Sequence, residues 1–129
     1  MSEQLYRENI LDHSRHPRNK GEIDDPTATY QDTNPLCGDE VRMDVRIEGD
    51  AVAEIKFSGR GCAISQASAS MLTEMVAGQS LEQVKAISRE DILDELGVPI
   101  SPARMKCAML GLKVLKSAIY GVPQDDDTL

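Results

Sequence analysis

"VRMDVRIEGDAVAEIKFSG", residues 41–59, decides the fold class. Val41, Met43, Val45 and Ile47 alternate with Arg42, Asp44, Arg46 and Glu48, a period of two that gives a strand one apolar face. Gly49 and Asp50 supply a turn, and Val52, Ile55 and Phe57 fall on the returning strand. A hairpin with one buried face needs a cover, and the flanking sequence offers helices. Leu5, Tyr6, Ile10 and Leu11 mark one face of a short helix that Pro17 ends and Gly21 leaves behind. Residues 27–30 favour a weaker strand. After "SGRGC" the period changes: Ile64, Ala67, Met71 and Met75 are spaced by three, four and four. The small residues between Ala63 and Ser70 would let that helix lie close to the sheet. Two short helices follow, opened by Ser80 with Glu82 and by Ser88 with Asp91. Ser101 and Pro102 then start a longer one, with Met105, Met109 and Leu112 on one face. The order predicts an α+β fold, a small sheet of two or three antiparallel strands with helices covering one face.

Composition narrows the function classes. The 129 residues carry a net charge of −8, with no Trp and one Phe, so the core must be aliphatic. A balance this acidic argues against nucleic acid and against an anionic membrane surface as partners. No apolar run approaches the roughly 18 residues needed to cross a bilayer, and residues 1–9 lack the features of a secretion signal. A reducing, cytoplasmic location is expected, with the three cysteines ligating or reactive rather than paired. Residues 1–121 are expected to form one domain, and the acidic residues 122–129 a tail too polar to pack.

Those cysteines occupy distinctive positions. Cys37 stands in "NPLCGDE", residues 34–40, a loop where core filler is the least natural account. If that segment is extended, residues two apart point the same way, so Cys37 and Asp39 would face one point. Cys62 stands at a helix start, where the macrodipole and unpaired N–H groups favour a thiolate. Cys107 lies about two turns into the last helix beside Lys106, although its apolar neighbours equally suit a buried, inert thiol. Spacing alone is a weak metal signal, since no C-x-x-C pair occurs. Three sulfurs and one carboxylate nonetheless form a coherent donor set for zinc or an iron–sulfur cluster. His13 and His16 read as part of a solvated helix end. Gly59 and Gly61 flank Arg60 without the rest of a phosphate-loop motif.

Four blocks together, "LYRENILDHSRHPRNKG", "NPLCGDEV", "GRGCAISQASASMLTE" and "ARMKCAMLGLKVLKSAI", resemble the IscU/SufU/NifU N-terminal family of iron–sulfur cluster assembly proteins. The resemblance spans residues 5–120 and implies a three-stranded sheet packed by helices. It implies a site made of Cys37, Asp39, Cys62 and Cys107, holding Zn²⁺ or a [2Fe–2S] cluster. It further implies sulfur delivery by a cysteine desulfurase of the SufS or IscS kind, and apo iron–sulfur proteins as recipients. Cys37 is the first choice of persulfide acceptor, because a loop residue could leave a metal that the others still hold; Cys107 is the second. The chain is a hybrid of the subfamilies. Lys106 replaces the His that precedes the last cysteine in IscU scaffolds, as in SufU-type zinc-dependent sulfurtransferases. The insertion of roughly twenty residues usual in SufU, a length in the range of an added surface segment, is missing.

Overall fold

The computed structural model describes residues 2–36 and 38–121. In chain order its elements are α1 (Glu3–Arg15), β1 (Ala28–Asn34), β2 (Asp39–Glu48), β3 (Ala51–Arg60), α2 (Ala63–Val76), α3 (Leu81–Lys85), α4 (Arg89–Leu96) and α5 (Pro102–Tyr120). The strands form one antiparallel sheet in the order β1-β2-β3, as expected for the α+β class. Met43 pairs with Phe57 and Val45 with Ile55, and all four side chains are buried. Helices α2 and α5 cover this face. Their buried Ala67, Met71, Leu72, Leu112 and Leu115 complete an aliphatic core around the single Phe. Among the described residues no helix is long and apolar enough to cross a membrane.

Several features differ from the sequence reading for identifiable reasons. β1 extends beyond residue 30 to Asn34, so "NPLCGDE" spans a second hairpin, with residues 35–38 as its connection. Gly38 is left-handed at φ +71 and its N–H donates to the Asn34 carbonyl at 2.8 Å. Strand alternation therefore begins only at Asp39 and cannot be carried back through Gly38. Cys37 and residues 122–129, the expected acidic tail, lie outside the described residues.

Helix α2 lies against the sheet as expected, and its small residues also meet α1 and α5. Ser68 Oγ donates to the Ala108 carbonyl at 2.7 Å, and Gly111 lies against Ala69. At the first short helix, the capping box closes with Gln83 rather than with Glu82. The second closes with Asp91 as the sequence suggested.

His13 is not part of a solvated end; it is 5% exposed, with Nδ1 2.8 Å from Ser70 Oγ. The α1 stripe runs through Ile10 and His13 onto α2, so a polar residue completes an otherwise apolar contact. Asp44 is also buried, on the sheet face away from α2 and α5. The segment after α1 crosses there. The Ile23 N–H and Thr29 hydroxyl donate to the Asp44 carboxylate at 3.0 and 2.6 Å, and Arg42 Nε does so at 3.0 Å. Burial acts to raise the Asp44 pKa, but these three donors outweigh it and hold the carboxyl below its ordinary range.

Candidate metal centre

Three element ends meet at one end of the sheet. Asp39 is the first residue of β2, opposite Asn34, the last residue of β1. β3 pairs with β2 as far as Glu40 and Arg60, then leaves through Gly61 and Cys62 into α2. Asp39 and Cys62 are therefore brought together by strand register, although 23 residues separate them in the chain. Helix α5 passes the same corner. Its sixth residue, Cys107, is 1% exposed, and Asn34 Nδ2 lies 3.8 Å from its sulfur in a donating position.

The site hangs on Asp39, whose side chain is wholly buried. Its Oδ1 accepts the Cys62 backbone N–H at 2.8 Å, and its Oδ2 lies 3.8 Å from Cys62 Sγ. Cys62 is the N-cap residue of α2, with extended dihedrals (φ −69, ψ 164) and no side-chain capping bond of its own. The carboxylate therefore satisfies a backbone donor at a helix entrance, where negative charge is favoured.

Gly61 makes this approach possible. Its φ is +149, and a Cβ there would stand 2.2 Å from Asp39 Oδ1 and 2.9 Å from Ser65 Oγ. The "GRG" element is thus a close-approach device for a carboxylate rather than a phosphate cradle. Its φ suits glycine, but only the β2 partner explains why space is needed.

One ligand atom from each of Asp39, Cys62 and Cys107 lies within 4.8 Å of the others. In tetrahedral zinc coordination with sulfur at about 2.3 Å, neighbouring ligands sit about 3.8 Å apart. A modest contraction would close three corners of a tetrahedron. Two thiols and a carboxylate are also the donor types that thiophilic metals select. This set can coordinate a metal ion, and it brings together three of the four expected residues. Cys37, the fourth, is outside the described residues.

Lys106 is exposed while its neighbour Cys107 is buried. Adjacent helix positions point about 100° apart, so Lys106 and Cys107 lie on different faces of α5. Sequence reading missed Asn34. Its Oδ1 accepts the Leu36 N–H at 3.2 Å, forming an Asx turn, while its amide nitrogen reaches Cys107. The Asn-Pro pair was a readable signal for the turn but not for the contact with α5.

The chain is similar to known proteins over most of its length. Residues 5–126 match the NifU-like N terminal domain family model. The chain is 38% identical to the zinc-dependent sulfurtransferase SufU of Bacillus subtilis, over 89% of each protein. It is 37% identical to the iron–sulfur cluster assembly scaffold protein IscU of Aquifex aeolicus, covering 88% of this chain and 73% of the relative. A crystal structure described as a candidate iron–sulfur cluster assembly scaffold for the SUF system of Fervidobacterium islandicum superposes with a TM-score of 0.76. That pair is 31% identical, over 92% of this chain and 98% of the other. The chain belongs to the IscU/SufU/NifU N-terminal family of iron–sulfur cluster assembly proteins.

Proposed function

We propose that this protein takes sulfane sulfur from a cysteine desulfurase and serves as a scaffold on which an iron–sulfur cluster is assembled and passed to apo proteins. The observation that carries the reading is the convergence of Asp39, Cys62 and Cys107 at the sheet end. Cys37, on the connection between β1 and β2, is proposed as the fourth ligand and the first sulfur acceptor, with Cys107 as the second. Its thiolate attacks the outer sulfur of the desulfurase persulfide. A new S–S bond forms on this protein, the donor S–S bond breaks, and the donor cysteine leaves as a thiolate. Asp39 is the hard ligand in a soft set, which keeps the site exchangeable as cluster transfer requires. Iron and sulfide are cargo in this scheme. When Zn²⁺ is present, Asp39, Cys62 and Cys107 would hold it. Residues 1–121 are proposed to be the functional domain, and the cytoplasm its location.

A second reading has its own support. Lys106 is exposed and is not among the converging donors, and SufU of Bacillus subtilis, which this chain resembles, is a zinc-dependent sulfurtransferase. In that reading zinc stays in place, and the protein relays persulfide without holding a cluster.

Anaerobic reconstitution with iron, cysteine and a desulfurase separates the two. A visible-absorbing cluster that transfers to an apo ferredoxin is the expected result. Stimulated desulfurase turnover with zinc retained and no cluster would replace the scaffold reading with the relay.

A further inference from the structure

Asn34 is the last residue of β1, yet its side chain is directed at a sulfur of α5. Along β1 exposure alternates, and Ala28, Tyr30, Asp32 and Asn34 fall on the inward side. Asp32 reaches α5 through its ion pair with Lys113 at 3.1 Å. Two residues on, Asn34 reaches the same helix at Cys107, with Nδ2 3.8 Å from Sγ. Asn34 is 6% exposed and Cys107 1%. The contact is shut away from water, where a donor facing a charged sulfur counts most.

The turn fixes the orientation of the amide. Its Oδ1 accepts the Leu36 N–H at 3.2 Å, so the carbonyl oxygen must point into the turn. Exchanging the two amide atoms would set one N–H against another. The NH2 group is thereby aimed at Cys107, and the Gly38 N–H, donating to the Asn34 backbone carbonyl at 2.8 Å, closes the same connection. The two described sulfurs have opposite neighbours. Cys62 Sγ lies 3.8 Å from the Asp39 carboxylate, an acceptor, whereas Cys107 Sγ faces a donor.

We propose that Asn34 is a positioning residue whose N–H···S bond anchors Cys107, making it the more firmly held of these two sulfurs in the metal centre. The inference rests on the reading of Asp39, Cys62 and Cys107 as metal donors. A sulfur bound to a metal carries negative charge, and a buried negative charge needs a donor. The bond draws electron density from the sulfur and stabilises its lone pairs, as hydrogen bonds to ligating sulfurs do. Cys107 then stays on the metal while another donor exchanges.

The test uses the full chain loaded anaerobically with Co²⁺ alone. In the parent, a sulfur-to-cobalt charge-transfer band reports the bound sulfurs. Asn34→Ser keeps a side-chain oxygen for the turn but is too short to reach Cys107. Asn34 is not among the non-glycine residues with positive φ, so serine fits its backbone. The band should move to longer wavelength, because sulfur lone pairs without the donor give up an electron more easily. Affinity for Co²⁺ should fall about tenfold or more. Leu36→Ala changes an exposed side chain of the same turn and should leave band and affinity at the parent values. A merely structural role would lower the urea midpoint of Asn34→Ser and leave the band unmoved, which would overturn the proposal. An equal band shift in Leu36→Ala would overturn it too. A parent without the band would instead remove the metal-centre reading, and this inference with it. One further check needs no variant: an Asn34 side-chain amide proton of the parent should move downfield when Zn²⁺ is added. An unmoved proton also overturns the proposal.

Discussion

Replacing Gly61 by Ala tests whether a backbone position, rather than a ligand, holds the centre together. Two costs are readable from the structure. An L-residue at φ +149 costs about 1–3 kcal/mol in backbone strain. The new methyl would stand 2.2 Å from Asp39 Oδ1, so the carboxylate must leave its bond to the Cys62 N–H. A hydrogen bond to a charged group contributes about 1.5–3 kcal/mol. Together they predict a loss of about 2.5–6 kcal/mol, or about 10–25 °C in Tm for a domain of this size. Gly49→Ala is the matched control. Its φ of +62 is also left-handed, but nothing lies within 4 Å of a Cβ there, so only about 1–2 kcal/mol should be lost. Urea unfolding of the metal-free proteins gives the stability difference, and a chelator competition gives zinc affinity. Gly61→Ala should also weaken zinc binding by more than about tenfold, because a displaced carboxylate no longer points at the sulfurs. Equal stability losses in the two variants, with zinc affinity unchanged at Gly61→Ala, would refute the close-approach argument.

Three further outcomes are expected. Cys62→Ser and Cys107→Ser should each weaken zinc binding by more than about 100-fold in the same competition, whereas Lys106→Gln should change it little, because that exposed side chain is not one of the converging donors. Burial first, and the Arg18 charge second, lower the His13 pKa, while Glu74 opposes them. The folded state therefore resists a proton that the unfolded chain accepts near pH 6.5. Stability is full above that pH and falls as pH drops below it, and the slope of urea midpoints between pH 7 and 5 should flatten in His13→Gln. Asp44→Ala strands the donors at Ile23, Thr29 and Arg42 and should cost about 2–4 kcal/mol in urea unfolding without altering zinc affinity. In the parent, the depressed Asp44 pKa means that this stability is present above the ordinary carboxylate range and is lost as pH falls through the folded value.

Local pattern was enough for much of the molecule. Alternation across residues 41–57 decided the central hairpin, because a strand with one face in the core must repeat every two residues. Serine caps and Pro102 marked the starts of α3, α4 and α5, since helix ends need partners for their first N–H groups. Cys62 was legible as a helix-start thiol on the same ground, and four blocks of similarity pointed to Asp39, Cys62 and Cys107, the three donors that converge. Only the tertiary structure decided that register and an exit turn place Asp39 beside Cys62, and that α5 passes close enough for Asn34 to reach Cys107. Likewise, it alone revealed that Gly61 is small for the sake of Asp39, and that His13 and Asp44 are polar residues inside rather than outside. Each of these facts joins segments distant in the chain. Periodicity reports which face of an element is apolar, but not which partner a neighbouring element will bring to it.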